Sequence, residues 1–194
     1  MGSEDDVLAT PSRAEIHEEL DRARETFHAL LRDATASDLR RRSDGTRWNN
    51  RQLLFHMLFG YLIVRRLLPL VRFFARQPGH ASETFASMLN SATKPFHVVN
   101  YLGSWGGGTV LTRRRMHVMM DHSIEALQRH LAVETETALQ RQMHFPLGWD
   151  PFFRETMTLQ DVYHYGTQHF DYHRSQLTLS QFHGDRAEGS EANG

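Results

Sequence analysis

The chain contains no cysteine. Disulfides, thiolate metal ligands and a cysteine nucleophile are therefore excluded, and any metal must be held by nitrogen and oxygen. Lysine is almost absent too. Lys94 is the single one among 22 basic residues, a skew that fits a GC-rich bacterial genome. Neither sign of charge is in excess: the net charge is −1 and the pI about 6.9. The basic field that nucleic-acid binding needs is missing. The runs Arg40-Arg41-Arg42 and Arg113-Arg114-Arg115 read as solvated or ion-paired helix ends. The segment Met1 to Asp6 is acidic and has no apolar core of a signal peptide. The apolar run around His56 stops at Arg65-Arg66, short of a bilayer span. A cytoplasmic protein without membrane or nucleic-acid partners is expected. No strand alternation of note and no internal repeat occur.

What remains is helical. With 194 residues, 40% of them hydrophobic and 23% charged, one globular domain is expected. Residues 1–11 and 184–194 read as disordered ends, and 12–183 as the domain. A first helix spans about Ser12 to Asp33, opened by a capping box of Ser12 and Glu15. Ile16, Leu20, Ala23, Phe27, Leu30 and Leu31 give its apolar stripe. A second spans about Asn50 to Ala75. Asn49 and Gln52 cap it, Trp48 staples its start, and Pro69 is expected to kink or end it near Leu68. Its apolar residues surround it on nearly every side, so it should be central.

Residues 77–108 carry Pro78-Gly79, Pro95, Gly103 and Gly106-Gly107-Gly108 among aromatic residues. They read as a long irregular crossover packed over a pocket, with a short helix near Ser82 to Asn90. A third helix starts near Thr109, and Met116, Met120, Ile124, Leu127 and Leu131 line its stripe. After a loop from about Met143, a fourth helix runs from Thr158 to about Phe182. The sum is an all-α four-helix bundle.

Three histidines stand out. His169 and His173 are four apart, so they share one face of the last helix, the same face as its apolar stripe. His56 lies within Leu53-Leu54-Phe55-His56-Met57-Leu58-Phe59. A lone buried histidine is more often a satisfied core residue than a ligand. An inward pair is harder to satisfy, because each ring needs partners once desolvated. A third imidazole from a facing helix would complete an open three-histidine site. His97, His117, His122 and His164 remain available as substitutes.

The segment Trp48-Asn49-Asn50-Arg51-Gln52-Leu53-Leu54-Phe55-His56 resembles the start of the second helix in the DinB-like superfamily. Thr158-Leu159-Gln160-Asp161 and His169-Phe170-Asp171-Tyr172-His173-Arg174-Ser175-Gln176-Leu177 resemble its last helix, with serine at 175 where glycine is usual. The resemblance covers about Ser12 to Phe182. It implies an up-down-down-up bundle and a divalent metal, zinc or nickel foremost, on His56, His169 and His173. Gln52 and Gln176 would hydrogen-bond the outer ring nitrogens. Asp171 points off the histidine face and should lie on the surface, and Arg174 should pair between helices.

Relatives of this kind include mycothiol- and bacillithiol-dependent enzymes. The resemblance therefore implies transfer or isomerisation chemistry on a small electrophile, with mycothiol as cosubstrate. Two other readings stay open. One is a metal-dependent hydrolase with Asp121 as general base; the other is a stress-associated bundle without catalysis. Phe73-Phe74 could support a homodimer.

Overall fold

Local caps set the helix starts. A computed structural model describes residues 10–180, and in it α1 (Arg13–Asp33) begins with the Ser12/Glu15 capping box. α2 (Ala36–Arg40) begins with a Thr35/Asp38 box and α3 (Asn50–Phe74) with the Asn49/Gln52 box. α4 (Gly79–Ser91) and α5 (Thr93–Val110) follow. Then come α6 (Arg113–Val133) and the short α7 (Glu136–Leu139). The strands β1 (Gln142–His144) and β2 (Thr156–Thr158) pair antiparallel, Met143 opposite Met157. α8 (Leu159–Arg174) closes the order, capped by Thr158 and Asp161.

Four helices form the bundle. α1 and α3 sit diagonally, each packed against α6 and α8. Terminal side chains fix the directions. Arg13 at the start of α1 reaches the carbonyls of Leu131 and Glu134 at the end of α6. Glu19 and His164 pair near the starts of α1 and α8. Arg72 late in α3 meets Tyr163 early in α8 and Glu134 at the end of α6. The order is up-down-down-up. Ile16, Leu20, Phe27, Leu53, Leu58, Tyr61, Met120, Ile124 and Phe170 fill the interior at no exposure. α3 is long and apolar enough to cross a membrane, with a mean hydropathy of 1.5 over its best window. It is nevertheless the central helix of the bundle, and Asn50, Gln52 and His56 are buried on it.

Four expectations are corrected. Residues 77–108 are not irregular but form most of α4 and α5. Pro95 is the third residue of α5, where a backbone N–H has no intrahelical partner to lose. The glycine run makes a smooth face rather than a break. A Cβ on Gly108 would lie 2.5 Å from Gln52 Cα, so only glycine lets α5 close on α3. α6 starts at Arg113, because Thr109 still belongs to α5. Pro69 does not end α3, since Leu68 and Val71 on either side of it are buried and hold the last turns in place. A small hairpin, β1–β2, occupies part of the stretch read as loop.

α8 stops at Arg174, short of Phe182. Side chains from the α2–α3 region capture the chain beyond it: Asn50 Oδ1 accepts from the Thr178 N–H, and Asp38 Oδ1 from the Ser180 hydroxyl at 2.6 Å. Asp38 also receives the Thr35 N–H and hydroxyl. The Ser180 and Thr35 hydrogen bonds hold its carboxyl far below the ordinary range. Asp38→Ala would strand these donors, at about 2 kcal/mol. The urea midpoint should fall with an unchanged m-value, and an unmoved midpoint would show the strap to be loose. Thr10 and Pro11, read as disordered, are tied to α8 through Asp161 and Gln160. The remaining N-terminal residues and the tail 184–194 lie outside the described residues.

Candidate metal centre

The three histidines meet at one end of the bundle, where α3 begins and α8 ends. His56–His173 and His169–His173 ring centroids are 4.6 Å apart, and His56–His169 centroids 4.9 Å. His56 and His169 are buried and His173 is half-buried. One nitrogen from each ring lies within 4.8 Å of the other two. Backbone spacing permits this. Gly60 sits one turn after His56, and a Cβ there would lie 2.9 Å from His169 Cδ2. Only a glycine lets that ring lie against α3.

Each outward nitrogen has its own partner. His173 Nδ1 lies 2.7 Å from Gln176 Oε1, which can only accept, so the ring nitrogen donates. His169 Nδ1 lies 3.1 Å from Asp150 Oδ2, and a carboxylate fixes it as donor likewise. His56 Nδ1 is 2.9 Å from the Ser104 hydroxyl of α5. Trp48 covers the His56 ring at 4.4 Å between centroids. The inner nitrogens of His169 and His173 are therefore bare lone pairs. His56 Nε2 stands 3.1 Å from His173 Nε2 and can donate to one of them at most. His169 Nε2 is buried and has no hydrogen-bond partner among the described residues. Protein groups alone leave it desolvated and unpaired, a costly state.

A divalent cation removes that cost. Neutral imidazoles with outward N–H groups held by a carboxylate, an amide and a hydroxyl are the donor set that zinc, nickel and similar ions take. Burial, with the neighbouring His169 and His173, pushes His56 well below its ordinary pKa. Burial and His169 push His173 down to about 4. Both are thus neutral near pH 7, as ligation requires.

Asp150 was not foreseen. It lies in the loop between β1 and β2, where Asp-Pro signals a turn, and nothing in the spacing points it at α8. Its Oδ2 also takes the Tyr165 hydroxyl at 2.8 Å, and its Oδ1 the Phe152 N–H. Burial works to raise this carboxyl, but the hydrogen bonds it accepts from His169, the Phe152 N–H and Tyr165 hold it below its ordinary range. Asp150→Asn should weaken metal binding about 10- to 100-fold, as loss of an orienting carboxylate does elsewhere. A competition titration against a chelator reads this, and an unchanged affinity would make the Asp150–His169 contact merely structural.

Other expectations fall differently. Gln176 sits against His173, whereas Gln52 does not touch His56. Gln52 is spent on the α3 cap and on Thr109, and Ser104 stands at His56 in its place. Ser104 was hidden because α5 was read as irregular. Asp121 is not at the centre: it pairs with His28 at 2.7 Å between α1 and α6. His117 stacks on His28, and His164 pairs with Glu19. His122 offers its carbonyl to Arg65, and His97 packs beside Phe96. Asp171 is on the surface with Arg22. Arg174 reaches only Asp171 in its own helix, at 3.9 Å.

The bundle order and a tri-imidazole cluster able to hold one cation define the class of this protein. Residues 19–177 match the family model of the DinB superfamily, and the chain belongs to that superfamily. No curated protein and no solved structure matches it.

Proposed function

We propose that the chain is a metal-dependent enzyme. It would transfer a low-molecular-weight thiol of the mycothiol type to a small electrophile, or isomerise that electrophile, in the cytoplasm. The observation that carries the reading is the buried, partnerless Nε2 of His169 beside two further imidazoles. His56, His169 and His173 would hold the ion, zinc or nickel foremost. Bound there, the ion lowers the pKa of a coordinated thiol and so supplies a nucleophile near neutral pH. Three protein ligands leave it a position for that thiol.

The protein's own groups orient and exclude. Asp150, Gln176 and Ser104 hold the rings, while Trp48 and α5 cover the His56 side from water. A cavity opens beside His56 and His169, where an electrophile would lie. With no cysteine in the chain, the sulfur comes from the cosubstrate. Its new bond to the electrophilic carbon forms as a leaving group departs with the electron pair, or as a double bond takes up a proton.

Hydrolysis ranks second for a specific reason. Asp150 is the one carboxylate lining the cavity, and its oxygens are already committed to His169, Tyr165 and the Phe152 N–H. Among the described residues no second carboxylate lines the cavity to serve as general base. The test is protein purified without a histidine tag, loaded with zinc or nickel and given monobromobimane with mycothiol, bacillithiol or glutathione. Turnover should require both metal and thiol. Metal-dependent turnover that ignores thiol would favour the hydrolase, and stoichiometric metal without turnover a binding bundle.

A further inference from the structure

The cavity beside the histidines has a volume of about 90 Å³, below the roughly 150 Å³ that takes a benzene ring in an engineered apolar site. Its wall is hydrocarbon from four directions. α3 supplies Ile63 and Leu67, α4 supplies Leu89, α5 supplies Phe96, and the β1–β2 loop supplies Phe145 and Trp149. Trp149 stacks on Phe96 of α5, 3.9 Å between centroids and 10° from parallel. Its indole N–H is taken by the Leu89 carbonyl at 2.9 Å, so it offers the cavity only its ring. No lysine or arginine is among the lining residues. The one carboxylate there, Asp150, is negative and already accepts from His169, Tyr165 and the Phe152 N–H. His144 Nδ1 meets the Ser82 hydroxyl, and the Asn100 amide adds a neutral polar group.

We infer that this cavity binds the uncharged hydrocarbon part of the substrate, a short branched alkyl chain. A carboxylate buried among these side chains would be desolvated with no lysine or arginine to meet it, and would face the charge of Asp150, so charged groups of a substrate are left to the histidine end. Arg65 and Arg66 line an adjoining groove that shares Phe59, Phe96 and Trp149 with this cavity, and neither lines the cavity itself. The portion of the electrophile that enters this cavity is thereby selected to be uncharged and apolar. The occupant counts as a substrate only if the histidine site is catalytic, as proposed above. Its binding does not depend on that reading.

Isothermal titration of chelator-treated protein with isobutanol and with isobutyrate separates the two. The molecules share a branched alkyl group and differ in charge. Isobutanol should bind at least tenfold tighter than isobutyrate. Leu89→Trp should fill the cavity and abolish isobutanol binding, and Ile63→Trp on α3 does the same if the first variant folds poorly. The wild-type protein is titrated with zinc in parallel, so isobutanol binding without zinc binding would uphold the cavity and overturn the metal centre. Isobutyrate binding as tight as isobutanol, or isobutanol binding that survives both filled variants, would overturn the inference.

Discussion

His169→Ala should reduce metal content from near one ion per chain to less than a tenth. Loss of an orienting partner alone costs 10- to 100-fold in affinity, and removing a ligand should exceed that. The metal-free protein should be affected less. His169 Nε2 is a buried lone pair without a partner, so its removal relieves a desolvated group while it opens a small void. It also takes a donor from the Asp150 carboxylate, so these effects only partly offset and the melting temperature of chelated protein should fall by a few degrees. The metal-loaded protein should lose more, because the variant forfeits stabilisation by the bound ion; a core histidine held for stability would lower the melting temperature equally with or without metal. His56→Ala and His173→Ala should strip metal similarly, because two imidazoles and solvent make a much weaker site than three. Mass-spectrometric metal analysis of the three tag-free variants checks this. Retained stoichiometry in all three would remove the metal centre from consideration.

The parts of the molecule that were legible in the sequence share a physical cause. Capping boxes at Ser12, Asn49 and Thr158 are local, so the starts of α1, α3 and α8 follow from neighbouring residues alone. The i,i+4 pairing of His169 and His173 is likewise local. Their meeting with His56 is not, and it was implied only by the resemblance of two segments to the DinB-like superfamily. The failures come from tertiary context. Glycines 106–108 favour a loop by propensity, yet α3 leaves no room for a side chain at Gly107 and Gly108, and packing outweighs a cost of about 1 kcal/mol per glycine. Pro69 remains within a helix because burial on both sides exceeds the local penalty. The glutamine one turn before His56 looks like its partner by spacing. The capping box claims it first, and a serine from a distant helix stands at the ring. Asp150 reaches His169 from a loop, and loops leave no periodic signal.

Acid should destabilise the metal-free protein well above the usual carboxylate range. His56 and His173 are held neutral by burial in the folded state, His56 well below 6.5 and His173 down to about 4. Unfolded, both return to about 6.5. Between these limits the unfolded chain binds more protons than the folded one, so stability rises with pH and is lost as pH falls through this window. Each group contributes a slope of up to about 1.4 kcal/mol per pH unit. From pH 7 to 5 the two together should remove about 3 kcal/mol, or roughly 10 °C in melting temperature for a chain of this size. Asp38 and Asp150 act elsewhere. Their carboxyls are lowered on folding, so their stabilisation is complete above about 4 and falls away only in stronger acid. His173→Gln should therefore flatten the chelated protein's slope between pH 7 and 5 by about half, while Asp38→Asn leaves that slope unchanged. Bound metal should steepen the same limb in the wild type, because protons must displace the ion before the rings can charge. A melting temperature that stays level from pH 7 to 5 in chelated protein would mean that the rings are open to water, and that the enclosure of the site by α5 and Trp48 is not maintained in solution.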